Sequence, residues 1–414
     1  MNIVKHLFVI LFLITAYDKS PAIDYTVVDE KDSLPSADSL LDPLPDPLPD
    51  PNINENPIDS LKSDNYFLYI GTYTDGSSKG IYRTEFNIQT GEISSPKLEA
   101  TLTNPSYLCI SPNKKLLWSV SEDWNGPGKV LSYSVNPKNG KLTKVASFSS
   151  EGNGPCYVSF HEQSGNVLVA NYNSGSVANI PIDELGKAAG DIFSDQQTGK
   201  GSDKNRQDGP HAHCILSEAN GKHLYSANLG TDKIYVYTIE NNKLKRTAEV
   251  DTEPGAGPRH LAFHPSGKAM AVINELNSTI ALFGLDNDGL FSQPLFVVTT
   301  IPDSFKANNQ CADIHYSPDG KFLYASNRGH NSIVIYTVDE QNMKIEPLEW
   351  ISETIDWPRS FLISPDGRYL IVANQNSNNV SIFSRDIFTG KIQFTGTELA
   401  ISKPVSVLLT NLNE

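Results

Sequence analysis

Cysteine is scarce in this chain. Its 414 residues hold four, Cys109, Cys156, Cys214 and Cys311, far apart and without a CxxC pair. Metal clusters and dithiol redox sites need closely spaced thiols, so neither is indicated, and the four are expected to be buried structural thiols. Long apolar runs are missing too. The most apolar stretch, LFVILFLITA (Leu7 to Ala16), follows Lys5 and His6 and has the length of an export signal, too short for a comfortable transmembrane helix. An excess of positive charge is absent as well: 33 Lys and Arg face 48 Asp and Glu, a net charge of −15. Neither nucleic acid nor an anionic membrane is therefore a favoured partner. A small molecule is the expected partner, with membrane contact only through the N-terminal segment, and a monomer is expected.

The acidity is uneven. Residues 17–64 carry a net charge of −9, and everything from Asn65 onward carries −7. Within the acidic part, LDPLPDPLPDP (Leu41 to Pro51) combines prolines that favour extended backbone with mutually repelling aspartates. Three parts follow: a signal-like segment 1–16, an acidic proline-rich linker 17–64, and a folded domain 65–414. An exported protein, periplasmic or extracellular, is expected, with an uncleaved N-terminal anchor as the alternative.

The folded part repeats itself. A short apolar strand ends in a turn of the SPDGK type and a second apolar strand then ends in Asn, as in YSPDGKFLYASN (Tyr316 to Asn327) and ISPDGRYLIVAN (Ile363 to Asn374). The register positions Thr72, Ser121, Asn171, Asn228, Asn274, Asn327 and Asn374 are spaced by 49, 50, 57, 46, 53 and 47 residues, room for four strands per repeat. The signatures of WD and kelch repeats are missing. NYFLYIGT (Asn65 to Thr72) lacks a first strand and KPVSVLLT (Lys403 to Thr410) lacks a second, so the two termini are expected to share one blade. The fold predicted is all-β, a seven-bladed β-propeller closed by pairing N- and C-terminal strands. The widest spacing contains 183–209, polar and without strand periodicity, expected to be a surface loop covering part of one face.

Within each unit the opening of the first strand and the end of the second are neighbours at one end of the channel. That places His211, His213, Arg259, His260, Glu275, Asp313, Arg328 and Arg359 together. Imidazole and carboxylate can move protons, while guanidinium can hold an anion or steady an oxyanion. Arg359 and Asp313 could equally satisfy buried neighbours, and His161, His264 and His315 are expected to be structural. A metal on His211, His213 and His260 is not favoured, because no carboxylate or cysteine stands at a convincing ligand spacing. GSSKG (Gly76 to Gly80) matches a serine-hydrolase pattern, but strand pattern flanks it where a helix should follow Ser78.

GTYTDGSSKGIY (Gly71 to Tyr82), GPHAH (Gly209 to His213), GAGPRHLAFHPSGK (Gly255 to Lys268), VINELNSTI (Val272 to Ile280), ADIHYSPDGKFLYASNRG (Ala312 to Gly329) and PRSFLISPDGRYLIVANQ (Pro358 to Gln375) together resemble the lactonase family. It includes propeller-type 6-phosphogluconolactonases and carboxymuconate lactonizing enzymes. The resemblance implies lactone chemistry at one channel mouth without metal or organic cofactor. It implies His213, Arg259, Glu275 and Arg328 as catalytic groups, with Glu275 or His213 activating water. His211, His260, Asp313 and Arg359 are the expected substrate-binding residues. A lactonizing enzyme or a non-catalytic ligand-binding propeller remain the alternatives, since fold does not fix function.

Overall fold

A computed structural model describes residues 64–123, 126–286, 289–290 and 293–412. The signal-like segment and the proline-rich linker up to residue 63 lie outside the described residues. The described chain forms 29 strands arranged in seven antiparallel sheets. Six sheets take their strands from one stretch of chain each. The seventh is composite, in the order β29 (Pro404–Thr410), β1 (Asn65–Thr72), β2 (Gly80–Asn87), β3 (Lys97–Thr101). Its seam pairs Phe67 with Thr410 and Ile70 with Val407, so the innermost strand of this blade comes from the C-terminus.

The second strand of each blade is walled by neighbouring blades on both faces, which explains its continuous apolar sequence. In β9 (Asn166–Asn171), β17 (Ala269–Asn274) and β26 (Tyr369–Asn374) every residue is buried. Outer strands such as β15 (Lys243–Asp251), KLKRTAEVD, stand mostly in solvent and read as polar. The recurrent Asn ties blades together. Asn171 Nδ2 donates to Ser150 O and Asn327 Nδ2 to Thr300 O, each at 2.8 Å, satisfying carbonyls of the preceding blade.

Other expectations resolve at this level. His161 Nε2 bonds Gly221 O at 2.9 Å and His264 Nε2 bonds Gly320 O at 3.1 Å, linking each turn to that of the next blade. Ser78 Oγ donates to Ser402 O within the composite blade, a structural tie. One expectation needs correction: the stretch 183–209 is not all loop. Phe193–Gln196 forms the outer strand β11 against β10 (Ser176–Pro181). Its sequence FSDQ is half in solvent, and Phe193 alone gives no alternating apolar pattern.

Candidate functional site

Two backbone devices aim side chains at one mouth of the channel. The first is a bulge near the opening of the first strand. Pro258 pairs with Asn274 and His260 with Ile273, which leaves Arg259 outside the ladder. The same irregularity singles out Cys156, His213 and Arg359 in their blades, and both Ala312 and Asp313 in another. A bulge redirects the side chain it carries, and here it recurs at the channel mouth. The second device is a backbone bond. The residue after the second strand donates its N–H to the carbonyl preceding the opening residue: Glu122 to Asn104, Tyr172 to Gly154, Glu275 to Gly257, Gln375 to Trp357.

Together these surround a cavity of about 280 Å³ lined by Glu122, Cys156, Tyr172, Arg206, His213, Glu275, Gln310, Arg328 and Arg359. A larger depression of about 510 Å³ lies on the side of the SPDGK-type turns and involves Ser111, Lys114, Glu162 and Pro365. It lacks converging charges. Between the two, Tyr107 and Tyr157 stack at 4.1 Å with His260 edge-on to both.

The centre of the cavity wall is Glu275. Arg206 reaches Oε1 at 2.5 Å, while Arg328 at 2.7 Å and Arg259 Nε at 3.0 Å share Oε2. Arg259 also donates to Ala312 O at 2.6 Å and Arg328 to Cys311 O at 2.9 Å. Burial alone would raise the Glu275 pKa, but Arg328, Arg259 and Arg206 reverse this and bring it to about 2. The carboxylate is thus permanently ionised. Desolvation lowers the Arg328 pKa to about 10, still charged at neutral pH.

Of the eight residues singled out from sequence, His213, Glu275, Arg328 and Arg359 line the cavity, and Arg259 stands behind Glu275. The other three do not line it. His211 lies outside, stacked on Tyr172 at 4.5 Å with Nδ1 3.0 Å from Tyr172 O, because two extra residues before its turn shift it off the bulge position. His260 and Asp313 sit one layer deeper in the channel, joined at 2.8 Å, with His315 Nε2 3.3 Å from the other Asp313 oxygen. Their pair lies beneath the cavity wall and is not part of its lining.

Five lining residues were not singled out from sequence, Glu122, Cys156, Tyr172, Arg206 and Gln310, the last opening its own blade opposite Arg328. Glu122 and Tyr172 occupy the same register position as Glu275, and Cys156 the same bulge as Arg259. Arg206, from the long insertion, had no register to reveal it. Cys156 Sγ lies 3.8 Å from His213 Nδ1 and 3.5 Å from His213 O, so this thiol borders the site; Cys109 is only half-buried. Glu122 is 3% exposed and accepts from Tyr73 Oη at 3.3 Å. Burial raises its pKa against the opposing pull of Arg359, Ser106, Tyr73 and Arg259.

The buried imidazoles make a stability prediction. Burial first, then Arg259, lowers the His260 pKa to about 4 against the pull of Asp313. Between pH 4 and the ordinary histidine value of about 6.5, the unfolded chain takes up a proton that the native one refuses. This contribution is whole above about pH 6.5 and is lost as pH falls to about 4, roughly 3 kcal/mol for a shift of that size. His213, lowered mainly by burial, acts in the same direction. Urea midpoints should fall between pH 7 and pH 4, and His260→Asn should flatten that fall.

Comparison with known proteins agrees with the fold and the motifs. The family model described as Lactonase, 7-bladed beta-propeller matches residues 67–409. A 6-phosphogluconolactonase of Bacillus subtilis is 36% identical over 343 residues, 83% of this chain and 97% of the relative. A 6-phosphogluconolactonase of Formosa agariphila is 34% identical over 347 residues, 81% of this chain and 97% of the relative. The solved structure of a periplasmic gluconolactonase from Pseudomonas aeruginosa superposes with a TM-score of 0.77 at 29% identity, covering 84% of this chain and 99% of the other. The chain belongs to the lactonase family of seven-bladed β-propellers.

Proposed function

We propose that the protein hydrolyses lactones of sugar acids in the 280 Å³ cavity, with guanidinium groups stabilising the oxyanion and neither metal nor organic cofactor in the reaction. The observation that carries this reading is the pair of carboxylates in one cavity whose environments push their ionisation apart. Such a split separates a proton-transfer group from a fixed charge.

Glu275 is the fixed charge. Its oxygens are engaged by three guanidiniums, and a conjugate acid near pKa 2 makes it a poor base at neutral pH. The sequence expectation that Glu275 or His213 activates water therefore shifts to Glu122, whose raised pKa suits proton transfer nearer neutrality. In this reading Glu122 takes a proton from water as its oxygen attacks the lactone carbonyl carbon. Arg328 and Arg359 face the developing oxyanion. When the ring C–O bond breaks, Glu122 returns the proton to the leaving ring oxygen, giving the hydroxy acid, which ionises. His213, held neutral by burial, orients substrate hydroxyls.

The names of the relatives, 6-phosphogluconolactonase and gluconolactonase, support a sugar-acid lactone. The signal-like N-terminus supports an unphosphorylated one, met outside the cytoplasm. Titrating acid release from glucono-1,5-lactone and 6-phosphoglucono-1,5-lactone against the spontaneous rate tests the reading, and no acceleration with either removes it. Arg359 stands apart from the clamp: it donates no hydrogen bond among the described residues and lies over the Tyr73 ring at 5.2 Å. With that guanidinium committed to substrate, Arg359→Ala should lower kcat/KM about 10- to 100-fold, the worth of a charge-assisted hydrogen bond. An unchanged value would take Arg359 out of the site.

A further inference from the structure

The channel mouth has a second compartment. Tyr73, Asp75, Asn104, Trp357, Arg359 and Gln375 line a cavity of about 410 Å³, and Arg359 is the wall it shares with the 280 Å³ cavity. Two further contacts join them. Tyr73 Oη bonds Glu122, and the Arg328 guanidinium lies 5.8 Å from the centre of the Trp357 ring.

Trp357 is an unusual choice for its backbone. Five blades open on an Xaa-Pro pair, and in all five the residue before proline has a left-handed φ between 42° and 63°: Asn104, Gly154, Gly257, Trp357 and Lys403. Glycine adopts this conformation freely and fills it in two blades; asparagine visits it more readily than most residues. A bulky aromatic residue there is strained. The turn does not need the indole, because glycine presents the same carbonyl: Gln375 N bonds Trp357 O at 3.2 Å just as Glu275 N bonds Gly257 O. Strained side chains persist where they do something else, and this one forms the wall of a cavity beside the candidate site. Nearby, Gln375 Oε1 is buried without a hydrogen-bond partner.

We propose that this compartment binds a second pyranose ring, so that the preferred substrate is a glycosylated aldonolactone, a disaccharide whose reducing-end unit is the lactone. The inference rests on the lactonase reading above. A pyranose offers a flat face of C–H groups and an edge of hydroxyls. The first matches the indole of Trp357 and the ring of Tyr73, and the second matches Asp75 and the orphaned Gln375 oxygen, whereas the Asn104 amide is already bonded to Thr74 and Glu122 O. A second anionic group would meet the Asp75 carboxylate, and the lining holds one cation, Arg359, already shared with the lactone compartment, while Lys403 outside it is engaged by Asp75 at 3.3 Å.

The test compares cellobiono-1,5-lactone with glucono-1,5-lactone on the wild type, Trp357→Gly and Trp357→Tyr. The wild type should favour the disaccharide at least 10-fold in kcat/KM. Trp357→Gly, which also relieves the strained φ, should cut that ratio below 3, and Trp357→Tyr should keep an intermediate ratio. A wild-type ratio near one, or a ratio that survives in Trp357→Gly, overturns the proposal. If neither lactone turns over but 6-phosphoglucono-1,5-lactone does, the proposal is overturned while the lactonase reading stands; if none of the three turns over, the lactonase reading fails, and calorimetry with cellobionate and gluconate then decides the compartment alone. Cellobionate binding at least 10-fold tighter, with the difference lost in Trp357→Gly, upholds it; equal binding of the two acids overturns it.

Discussion

Glu275→Gln should be among the most damaging single substitutions in this protein, lowering kcat/KM for a sugar lactone about 10³-fold and destabilising the fold by about 3–5 kcal/mol. The reason is the company Glu275 keeps. It is 3% exposed and neutralises Arg328 and Arg259, both buried, together with Arg206, whose side chain is 32% exposed. An amide keeps the shape and removes the charge. Three guanidiniums would then face one another across a narrow space, and the two buried ones have no other carboxylate within ion-pair distance among the described residues. They must move, and the positive wall around the cavity moves with them. Arg206→Ala should be milder, because its side chain is partly in solvent and its removal leaves Glu275 still paired twice. Urea unfolding and initial rates on the purified variants check both. Near-wild-type stability for Glu275→Gln would mean that the clamp does not hold the mouth together.

This clamp also shows how far sequence reading reaches. The ring and its repeats were legible because every blade uses the same apolar second strand and register position, and six share a turn of one type before it, and that register alone brought Glu275 and Arg328 to one mouth. The first strand is harder. An uninterrupted strand sends neighbouring side chains to opposite faces, so Arg259 and His260, or Ala312 and Asp313, could not be sorted into mouth and interior without knowing where the bulge falls. His260 and Asp313 fall one layer below the cavity wall, and the two-residue insertion in its own blade carries His211 off the bulge position. Arg206 was invisible for a different reason: its segment has no repeat partner, so nothing in the sequence ties it to Glu275, 69 positions away. Glu122 was legible by register yet passed over, since the opening of its own blade, Asn104 to Tyr107, carries no charge to draw attention to it.

Glu122 carries the second large prediction. Glu122→Gln should lower kcat about 10²- to 10⁴-fold, the usual worth of a positioned proton-transfer group, while KM changes little. The pH dependence separates this from a structural role. Glu122 must be ionised to take a proton from water, so wild-type kcat should rise with pH through its pKa and then level. That pKa lies above the ordinary carboxylate value because burial outweighs Arg359, Ser106, Tyr73 and Arg259. Tyr73 and Cys156 are pushed the same way by burial and stay protonated through neutrality, so neither supplies a competing limb there. In Glu122→Gln the rising limb should vanish along with the rate. Glu122→Asp should keep the limb at a reduced plateau, since the carboxylate survives but withdraws by one methylene. A limb of unchanged shape in Glu122→Gln would assign the proton transfer to another group. His213, also on the cavity wall, is pushed in the opposite direction by burial and loses its proton well below the ordinary histidine range, so a limb that disappears in Glu122→Gln while His213 is intact belongs to Glu122.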